Sequence, residues 1–337
     1  MEDKKPFVSV IIPCRNEKEF IRDCLESIIA QDYPKDNLEF LVVDGMSEDG
    51  TRDIIRQFSC RHPFIKLIDN PRRITPCAFN TGIKNASGEV IIRMDAHAVY
   101  KEDYISKCVK YLFEYRADNV GGVLVTRQRE DSFIGRAIAR ALSNSFGVGN
   151  SIFRTGAEKP VWVDTVFGGC YKKEIFDKVG LFNEDLIFSQ DIDFNQRLKR
   201  AGGRILLHPD IKSYYYARSR FMDFCRYNFK NGVWITYPLK FVKTFPFSLR
   251  HIIPLIFASS LIILAALSPF FVFFFWLFIC ISGFYFVINI FFSAKIAMNE
   301  SDFRYLFIMP VVFFSLHFLY GLGSIWGIIK LPGRQRG

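Results

Sequence analysis

The sequence predicts an α/β domain with a mostly parallel β-sheet, followed by an α-helical membrane region. Short β-rich runs alternate with amphipathic stretches up to about residue 210, and polar residues follow the ends of those runs. From 251 to 294 the chain contains no Asp, Glu, Lys or Arg, and a second uncharged stretch covers 305–329. Such runs are typical of membrane helices, because helices of soluble proteins keep a polar face.

The alternation can be followed along the chain. Strands are predicted at Phe7–Ile12, Leu38–Val43, Ile65–Ile68 and Glu89–Met94, and helices at Glu17–Ile29, near Arg52–Phe58 and near Cys77–Ala86. Asn16 followed by Glu19 predicts a capping box at the first helix. Strands separated by helices in this way form a parallel sheet covered on both faces. In such sheets, ligands bind beyond the carboxyl ends of the strands.

The amino-acid composition limits which kinds of partner and site the protein is expected to have. The chain has 337 residues, 50% of them hydrophobic, and a net charge of +10, which favours an anionic partner. Its eight cysteines form no Cys-x-x-Cys pair, so a zinc ribbon or redox motif is disfavoured. Residues Met1–Pro6 are polar and Phe7–Ile12 is too short for the core of a signal peptide. We therefore expect the chain to start in the cytosol.

We expect four regions: a cytosolic domain at 1–211, an interfacial docking segment at 212–250, membrane helices within 251–330 and a basic tail at 331–337. The docking segment interleaves basic and aromatic residues, with Asp223 as its only acid. This composition suits an anionic membrane surface, and it also suits single-stranded nucleic acid. Its position directly before the hydrophobic run favours the membrane, so we expect no nucleic-acid partner. The sequence sets no oligomeric state.

The hydrophobic region is long enough for several crossings. The run 251–294 is ~66 Å long as a helix, enough for two crossings of ~30 Å at about 252–268 and 270–292. Residues 295–304 read as a polar loop, and 305–329 as a third crossing. The length of this third segment favours a full span. The basic tail with Lys330, Arg334 and Arg336 favours an interfacial or re-entrant element, because positive charge stays inside. Both outcomes are open, and we favour the span.

The strand ends carry acidic groups where nucleotide-binding folds carry glycines. No G-x-G-x-x-G follows a strand, no P-loop motif is present, and no G-x-S-x-G suggests a covalent nucleophile. Asp44 and the segment Asp95-Ala96-His97 follow strands instead. Asp95 and His97 could hold Mg²⁺ or Mn²⁺ against a diphosphate. The alternative is that Asp95 caps the following loop and His97 only packs.

Several motifs occur in a fixed order: Val8–Glu17, Leu41–Thr51, Asn80–Gly82, Ala86–Gly88 and Asp95–His97. This series resembles the family 2 glycosyltransferases, inverting enzymes with the GT-A fold, over residues 7 to about 210. The Asp-Ala-His variant, the paired glycines at 168 and 169 and the membrane tail are most similar to the succinoglycan-biosynthesis type. The Gln-x-x-Arg-Trp pattern of processive synthases is absent, which disfavours a processive enzyme.

The resemblance implies roles for individual residues. Residues in contact with a nucleotide-sugar would be Pro13, Arg15, Asn16, Glu17, Asp44, Arg72 and Asp95. Asp44 would accept a hydrogen bond from a ring N–H of the nucleobase. Asp95 and His97 would bind Mn²⁺ or Mg²⁺. Asp191 would be the general base for the acceptor hydroxyl, although Asp191 as a helix N-cap is the alternative. The acceptor would contact Gly168, Gly169, Gln190 and Arg197, with Gln190 in place of the family's usual Glu.

The resemblance also implies a function. We expect a multi-pass enzyme of the cell membrane, with its catalytic domain in the cytoplasm. It would transfer a sugar from a UDP-sugar to a hydroxyl of a polyprenyl-diphosphate-linked saccharide, in surface polysaccharide biosynthesis. The alternatives are a polyprenyl-phosphate sugar synthase and an inactive membrane scaffold with a transferase fold. The intact Asp44, Asp95 and Asp191 argue against the scaffold.

Overall fold

The structure is a computed structural model that describes residues 5–129, 131–217, 220–237 and 249–330. The described residues form two compact units. The first contains residues up to Val125 together with Gly156–Tyr215, and the second contains Thr126–Thr155 and the described residues from Tyr216 onwards. The insertion 126–155, which we expected within the first domain, therefore packs with the C-terminal helices.

The first unit begins with the alternation that the sequence predicts. Its elements are β1 (Val8–Cys14), α1 (Ile21–Ile29), a 3₁₀ turn (Lys35–Asn37), β2 (Leu38–Asp44), α2 (Thr51–Arg61), β3 (Ile65–Asp69), α3 (Thr75–Asn85) and β4 (Val90–Arg93). All four strands and three helices are where the patterns place them. The first helix starts later than predicted because the carbonyl oxygen of Glu17 accepts from Phe20 and Ile21 in a turn.

The chain continues through shorter elements. These are β5 (Ala98–Tyr100), α4 (Tyr104–Glu114), β6 (Asn119–Gln128), α5 (Phe133–Leu142), α6 (Ser145–Val148), α7 (Ile152–Thr155), β7 (Val161–Trp162), β8 (Phe167–Lys172), α8 (Glu174–Val179), α9 (Gln190–Arg200) and β9 (Ile205–Ala217). Residues 212–217, which we expected at the membrane surface, form the end of β9. Tyr214 and Tyr215 there pair with Val99 and Ala98 of β5.

One sheet contains all nine strands that the structure describes. Its order is β3-β2-β1-β4-β8-β6-β9-β5, with β7 paired to β9. The strands β3, β2, β1 and β4 are parallel, whereas β8 is antiparallel to both β4 and β6. The sheet is therefore mixed. The prediction of a mostly parallel sheet holds for the first four strands and fails beyond β4.

Helices cover both faces of the parallel strands, as predicted. Val10 and Ile12 point into a core shared with α1, α2 and α4. Ile11 points to the other face, where a Cβ at Gly82 of α3 would collide with its side chain. Each of these fully buried side chains stabilises the fold by about 1.5–3 kcal/mol. The packing fixes the strands so that the carboxyl ends of β1, β2 and β4 meet at one edge.

The second unit is helical. After α5–α7 it contains α10 (Phe221–Thr236), α11 (Leu249–Leu267), α12 (Val272–Asn299) and α13 (Tyr305–Ile329). Three of its described helices, α11 to α13, have the length and apolar composition needed to cross a membrane. Pro310 lies within α13 without ending it. The predicted polar loop is shorter than expected, because the helix-favouring Lys295–Met298 segment extends α12.

Parts of the predicted membrane segments lie outside the described residues. These are Arg218, Lys240, Lys243 and the basic tail 331–337.

Candidate active site

The loops after β1 and β2 are joined by hydrogen bonds. Asn16 has the left-handed φ of 54°, and its Oδ1 accepts from the Glu48 N–H at 3.0 Å. Its own N–H donates to Ser47 Oγ at 2.8 Å, and the Glu17 N–H donates to Thr51 Oγ1 at 2.9 Å. The predicted capping box is therefore wrong, because the Asn16 side chain accepts a hydrogen bond from the loop after β2 and does not cap the start of α1.

Asp44, at the end of β2, is fully buried. Its Oδ2 accepts from the Ser47 N–H at 2.9 Å and from Arg52 Nη1 at 2.7 Å. Its Oδ1 accepts from Ser47 Oγ and from Cys14 Sγ. Burial alone would raise the pKa of Asp44, but the hydrogen bonds from Ser47 and Arg52 outweigh it and hold this pKa below its usual value. The carboxylate thus shapes the loop, and a nucleobase contact would have to displace one of these partners.

The other residues predicted to bind the donor lie around the same edge. Pro13 is within β1, opposite Val43. Arg15 donates to the carbonyl oxygen of Arg73 at 3.3 Å. Arg72 is mostly exposed and forms an ion pair with Glu184, so its predicted contact with phosphate would replace that partner.

Arg93, the last residue of β4, is a residue that the sequence analysis missed. Its Nε lies 3.2 Å from Asp95 Oδ1, with both side chains 13% exposed, and its guanidinium lies over the Phe79 ring at 4.5 Å. Burial alone would lower the pKa of Arg93, but the negative charges of Asp95 and Asp191 outweigh it and hold this pKa above its usual value. Arg93 is therefore the cation shared by the predicted metal ligand and the predicted base.

His97 lies next to Glu17 from the loop after β1. Its Nδ1 is 3.2 Å from Glu17 Oε1, and its ring packs edge-on against Tyr215. Burial alone would lower the pKa of His97, but the hydrogen bond to Glu17 and the charges of Asp95 and Glu17 outweigh it and raise this pKa. In the neutral imidazole with Nδ1 donating to Glu17, Nε2 keeps its lone pair, which is the usual arrangement of a metal-binding histidine and a supporting carboxylate.

These residues fit a divalent cation only in part. Across the described residues, no cluster of three or more His, Cys, Asp or Glu is placed to hold a metal. Arg93 contacts Oδ1 of Asp95, so Oδ2 would be the ligand oxygen, with Nε2 of His97 as a second ligand. Mg²⁺ and similar ions are often held by one or two protein ligands together with substrate phosphates. The donor set therefore fits a cation that arrives with a diphosphate.

Asp191 lies in the first turn of α9, which follows Ser189 in the left-handed conformation. Ser189, not Asp191, is the N-cap residue, so the alternative role of Asp191 as the cap is wrong. Asp193 forms an ion pair with Arg197 at 3.0 Å and so is engaged elsewhere. Asp191 remains as the carboxylate of this turn whose charge acts on Arg93.

The predicted acceptor residues divide into two groups. Arg197 donates to the carbonyl oxygens of Val179 and Leu181 at 2.7 and 2.9 Å, as well as to Asp193. It holds the loop before α9, and we remove it from the acceptor-binding set. Gln190 is 6% exposed, and its Oε1 is buried without a hydrogen-bond partner among the described residues. A substrate hydroxyl would satisfy this oxygen.

Gly168 and Gly169 follow Phe167, the first residue of β8, and have φ angles of 71° and 120°. A Cβ at Gly168 would lie 2.9 Å from the carbonyl oxygen of Arg93, and one at Gly169 would collide with the Tyr171 ring. Both glycines are therefore required by close packing beside Arg93. Their predicted contact with the acceptor stays a prediction.

Asn80 of α3 holds the loop that leads to α9. Its Nδ2 donates to the Phe182 carbonyl oxygen and to Glu184 Oε1, both at 2.9 Å, and its Oδ1 accepts from the Phe182 N–H at 3.0 Å. Asn80 belongs to one of the ordered motifs, which predicts no role for it. Only the partner residues, about a hundred positions away, reveal that it supports the loop before Asp191.

A sequence profile described as Glycosyl transferase family 2 matches residues 9–180, which is more than half of the chain. The chain belongs to glycosyl transferase family 2. The family resemblance of the ordered motifs is thereby confirmed, and the protein is a glycosyltransferase. The profile includes Asp44, Arg93, Asp95 and the two glycines of β8, and it ends before Asp191.

Curated relatives of this family 2 enzyme act in glycan synthesis. A Methanococcus voltae protein is 34% identical over 234 residues, or 67% of this chain and 72% of its own. It is named dolichyl N-acetyl-alpha-D-glucosaminyl phosphate 3-beta-D-2,3-diacetamido-2,3-dideoxy-beta-D-glucuronosyltransferase. The succinoglycan biosynthesis protein ExoA of Rhizobium meliloti is 32% identical over 213 residues, or 63% of each chain. The chain thus spans under two thirds of the Rhizobium protein.

Solved structures support the fold. A mannosyltransferase of Pyrobaculum calidifontis, in complex with GDP-Man and Mn²⁺, has a TM-score of 0.60 and 21% identity. The match covers 96% of this chain and 88% of that one. The S. aureus TarS fragment with UDP-GlcNAc has a TM-score of 0.50 and 20% identity, over 68% of this chain and 66% of that one. These likenesses confirm the predicted GT-A fold, with its sheet and C-terminal helices.

Proposed function

We propose that this glycosyltransferase is bound to the cell membrane with its catalytic unit in the cytoplasm. It transfers a sugar, with inversion, from a UDP-sugar to a hydroxyl of a polyprenyl-diphosphate-linked saccharide. The observation that carries the proposal is the placement of Asp95 and His97 after β4, with Asp95 paired to Arg93, whose pKa the charge of Asp191 also raises. The names of the Methanococcus and Rhizobium relatives support a lipid-linked acceptor in surface polysaccharide biosynthesis. The apolar helices α11–α13 support the membrane location.

Inversion requires one displacement at the anomeric carbon. Asp191 accepts the proton of the acceptor hydroxyl while the hydroxyl oxygen bonds to that carbon, and the bond from carbon to the diphosphate oxygen breaks. Arg93 pairs with Asp95 at 3.2 Å, and its positive charge also interacts with the negative charge of Asp191. Mn²⁺ or Mg²⁺ held by Asp95 and His97 would supply positive charge to the departing diphosphate. Glu17 orients the His97 ring.

A donor screen tests this proposal. The full chain, purified into nanodiscs, is given lipid-linked saccharides and single UDP- or GDP-sugars, and both free nucleoside diphosphate and lipid-bound label are measured. We expect a UDP-sugar to give both products in equal amounts, and the Asp191→Asn variant to form both ~10²–10⁴-fold more slowly. Nucleotide binding without turnover on any donor would instead support the inactive scaffold.

Gln190 keeps a second function open. A polyprenyl-phosphate sugar synthase uses an acceptor that is already an anion. Its active site therefore needs a weaker general base than a site that must deprotonate a hydroxyl. The neutral Gln190 beside Asp191 is compatible with that chemistry. Mild acid separates the two functions, because it releases a labelled monosaccharide from the synthase product and a labelled oligosaccharide from the transferase product.

A further inference from the structure

The contacts of α13 with the helical hairpin α11–α12 determine the direction in which α13 runs. Helices α11 and α12 are antiparallel and are joined by residues 268–271. The rings of Phe257 and Tyr285 stack with centroids 4.3 Å apart, so these residues mark the same level of the hairpin. Every contact of α13 with either helix can be placed relative to this level.

The contacts with α12 come first along α13. Asn289 Nδ2 donates to the Pro310 carbonyl oxygen at 3.0 Å, and Tyr285 Oη lies 2.9 Å from His317 Nδ1. Between Pro310 and His317, the point of contact moves one helical turn along α12, towards the hairpin turn.

The contacts with α11 overlap with these and extend further along α13. Phe314 lies edge-on to Phe257, and a Cβ at Gly321 would collide with the Pro254 carbonyl oxygen and the Ala258 side chain. Pro310 and Gly321 are ~16 Å apart along α13. If α13 ran alongside the hairpin, that distance would bring Gly321 level with Leu264. Gly321 instead contacts Pro254 and Ala258, which lie at the level of Phe257. Helix α13 therefore crosses the hairpin at a steep angle.

The two faces of α13 have different surroundings. One face is covered along its whole length by α5, α6 and α10. The covering contacts are Tyr305 with Phe133 (ring centroids 4.9 Å), Phe313 with Phe146 (5.0 Å) and Thr236 Oγ1 with the Ser324 carbonyl oxygen (3.3 Å). The opposite face is apolar and exposed, with Phe307 70%, Val311 51% and Ile329 61% exposed.

The covering helices are joined directly to the catalytic unit along the chain. The insertion that carries α5 and α6 leaves that unit after Val125 and returns at Gly156, and α10 follows Tyr215 after a few residues. Both α5 and α10, with 10 and 16 residues, are shorter than a membrane crossing requires. They must therefore stay on the same side of the membrane as the segments of the catalytic unit to which they are joined.

We propose that the described residues cross the membrane only twice, through α11 and α12, and that α13 lies in the membrane interface on the side of the catalytic unit. Its covered face rests on α5, α6 and α10, and its apolar face enters the boundary between headgroups and acyl chains. Close packing of α10 on α13 is possible because Gly323 and Gly327 leave room for the backbone of α10. This placement puts Lys330 on the same side as the basic side chains of α5, as the positive-inside rule favours.

Cysteine accessibility tests the proposal. The variants Ser268→Cys in the hairpin turn, Ser301→Cys between α12 and α13, and Lys330→Cys after α13 are each expressed in cells. An impermeant thiol reagent is applied before and after permeabilisation, and labelling of the unmodified chain is subtracted. Retained transferase activity shows that each variant is folded, so the topology is measured independently of the substrate.

We expect Lys330→Cys to behave like Ser301→Cys, protected in intact cells and labelled after permeabilisation, whereas Ser268→Cys is labelled in both. Labelling of Lys330→Cys together with Ser268→Cys in intact cells would mean that α13 spans the membrane, and would overturn the proposal. Equal behaviour of Ser268→Cys and Ser301→Cys would mean that the hairpin does not cross, which also overturns it.

Discussion

Replacing Asp44 by Asn tests whether this buried carboxylate shapes the loop after β2 or binds the nucleobase. Both of its oxygens are occupied by donors from Ser47, Arg52 and Cys14. The amide of Asn has one oxygen and one NH₂ group. Its best orientation keeps the oxygen towards the Ser47 N–H and Arg52, and turns the NH₂ towards the Ser47 hydroxyl, which can rotate to accept.

The loss of stability in Asp44→Asn follows from those contacts. The substitution removes a charge that accepts two strong hydrogen bonds, and a charge-assisted hydrogen bond contributes about 1.5–3 kcal/mol. Arg52 keeps its second partner, Asp69, at 2.7 Å, which limits the loss. We expect the free energy of unfolding to fall by about 3 kcal/mol. Asp53→Asn is the matched control, because Asp53 is 73% exposed and its loss should cost under ~0.5 kcal/mol.

The assay combines thermal unfolding of the full chain with UDP affinity measured by calorimetry. If Asp44 shapes the loop, Ser47→Ala should weaken UDP binding by a factor similar to that of Asp44→Asn, about tenfold, because both loosen the same turn. A Ser47→Ala variant with unchanged UDP affinity beside an Asp44→Asn variant without UDP binding would refute this reasoning. It would show that the nucleobase binds the carboxylate itself.

The pH dependence gives a second readout of the same residue. The pKa of Asp44 is held below its usual value, so its contribution to stability is fully present above the unfolded pKa of about 3.9. That contribution is lost as pH falls through the lower, folded-state pKa. The stability difference between wild type and Asp44→Asn should therefore be constant near neutral pH and shrink below pH ~4.

Three further predictions concern the site itself. Arg93→Met removes the cation beside Asp95 and should lower the free energy of unfolding by about 3 kcal/mol and abolish most turnover. Arg56→Met, on the surface, should change neither. Thermal unfolding and kcat of the two variants test this prediction. Asn80→Ala frees the loop before Asp191, and should lower kcat about tenfold with unchanged UDP affinity; an equal loss of UDP affinity would contradict this role. Chelation by EDTA should abolish turnover and added Mn²⁺ restore it, and full activity in EDTA would exclude the metal.

Local patterns were sufficient to predict the first half of the fold. The run Phe7–Ile12 is apolar at every position except Ser9, as expected for a strand that is buried on both faces, and β1 is found there. The apolar residues of α1 recur with a helical period, and four of them are buried. The resemblance to family 2 then assigned roles to the acids that follow the strands, and the structure places Asp95 and His97 directly after β4.

The features that sequence reasoning missed depend on partners far away in the chain. Arg93 looks like a surface residue at the end of a strand, and only the approach of Asp95 and Asp191 makes it a buried counter-charge. Asn16 has the spacing of a capping box, but a loop from the next strand competes for its oxygen. The antiparallel strands β6, β8 and β9 pair across long separations, which periodicity along the chain does not encode.

Turnover of the Asp191→Asn variant tests the central claim most directly. The substitution keeps the size of the side chain and removes its capacity to accept a proton, and Asp193→Asn, in the same turn but paired with Arg197, is the matched control. With the donor and lipid acceptor identified by the screen, we expect kcat of Asp191→Asn to fall ~10²–10⁴-fold, with donor affinity within about twofold of wild type. The kcat of Asp193→Asn should stay within about tenfold of the wild-type value. An Asp191→Asn enzyme that turns over within a few fold of wild type would contradict the assignment of Asp191 as the general base.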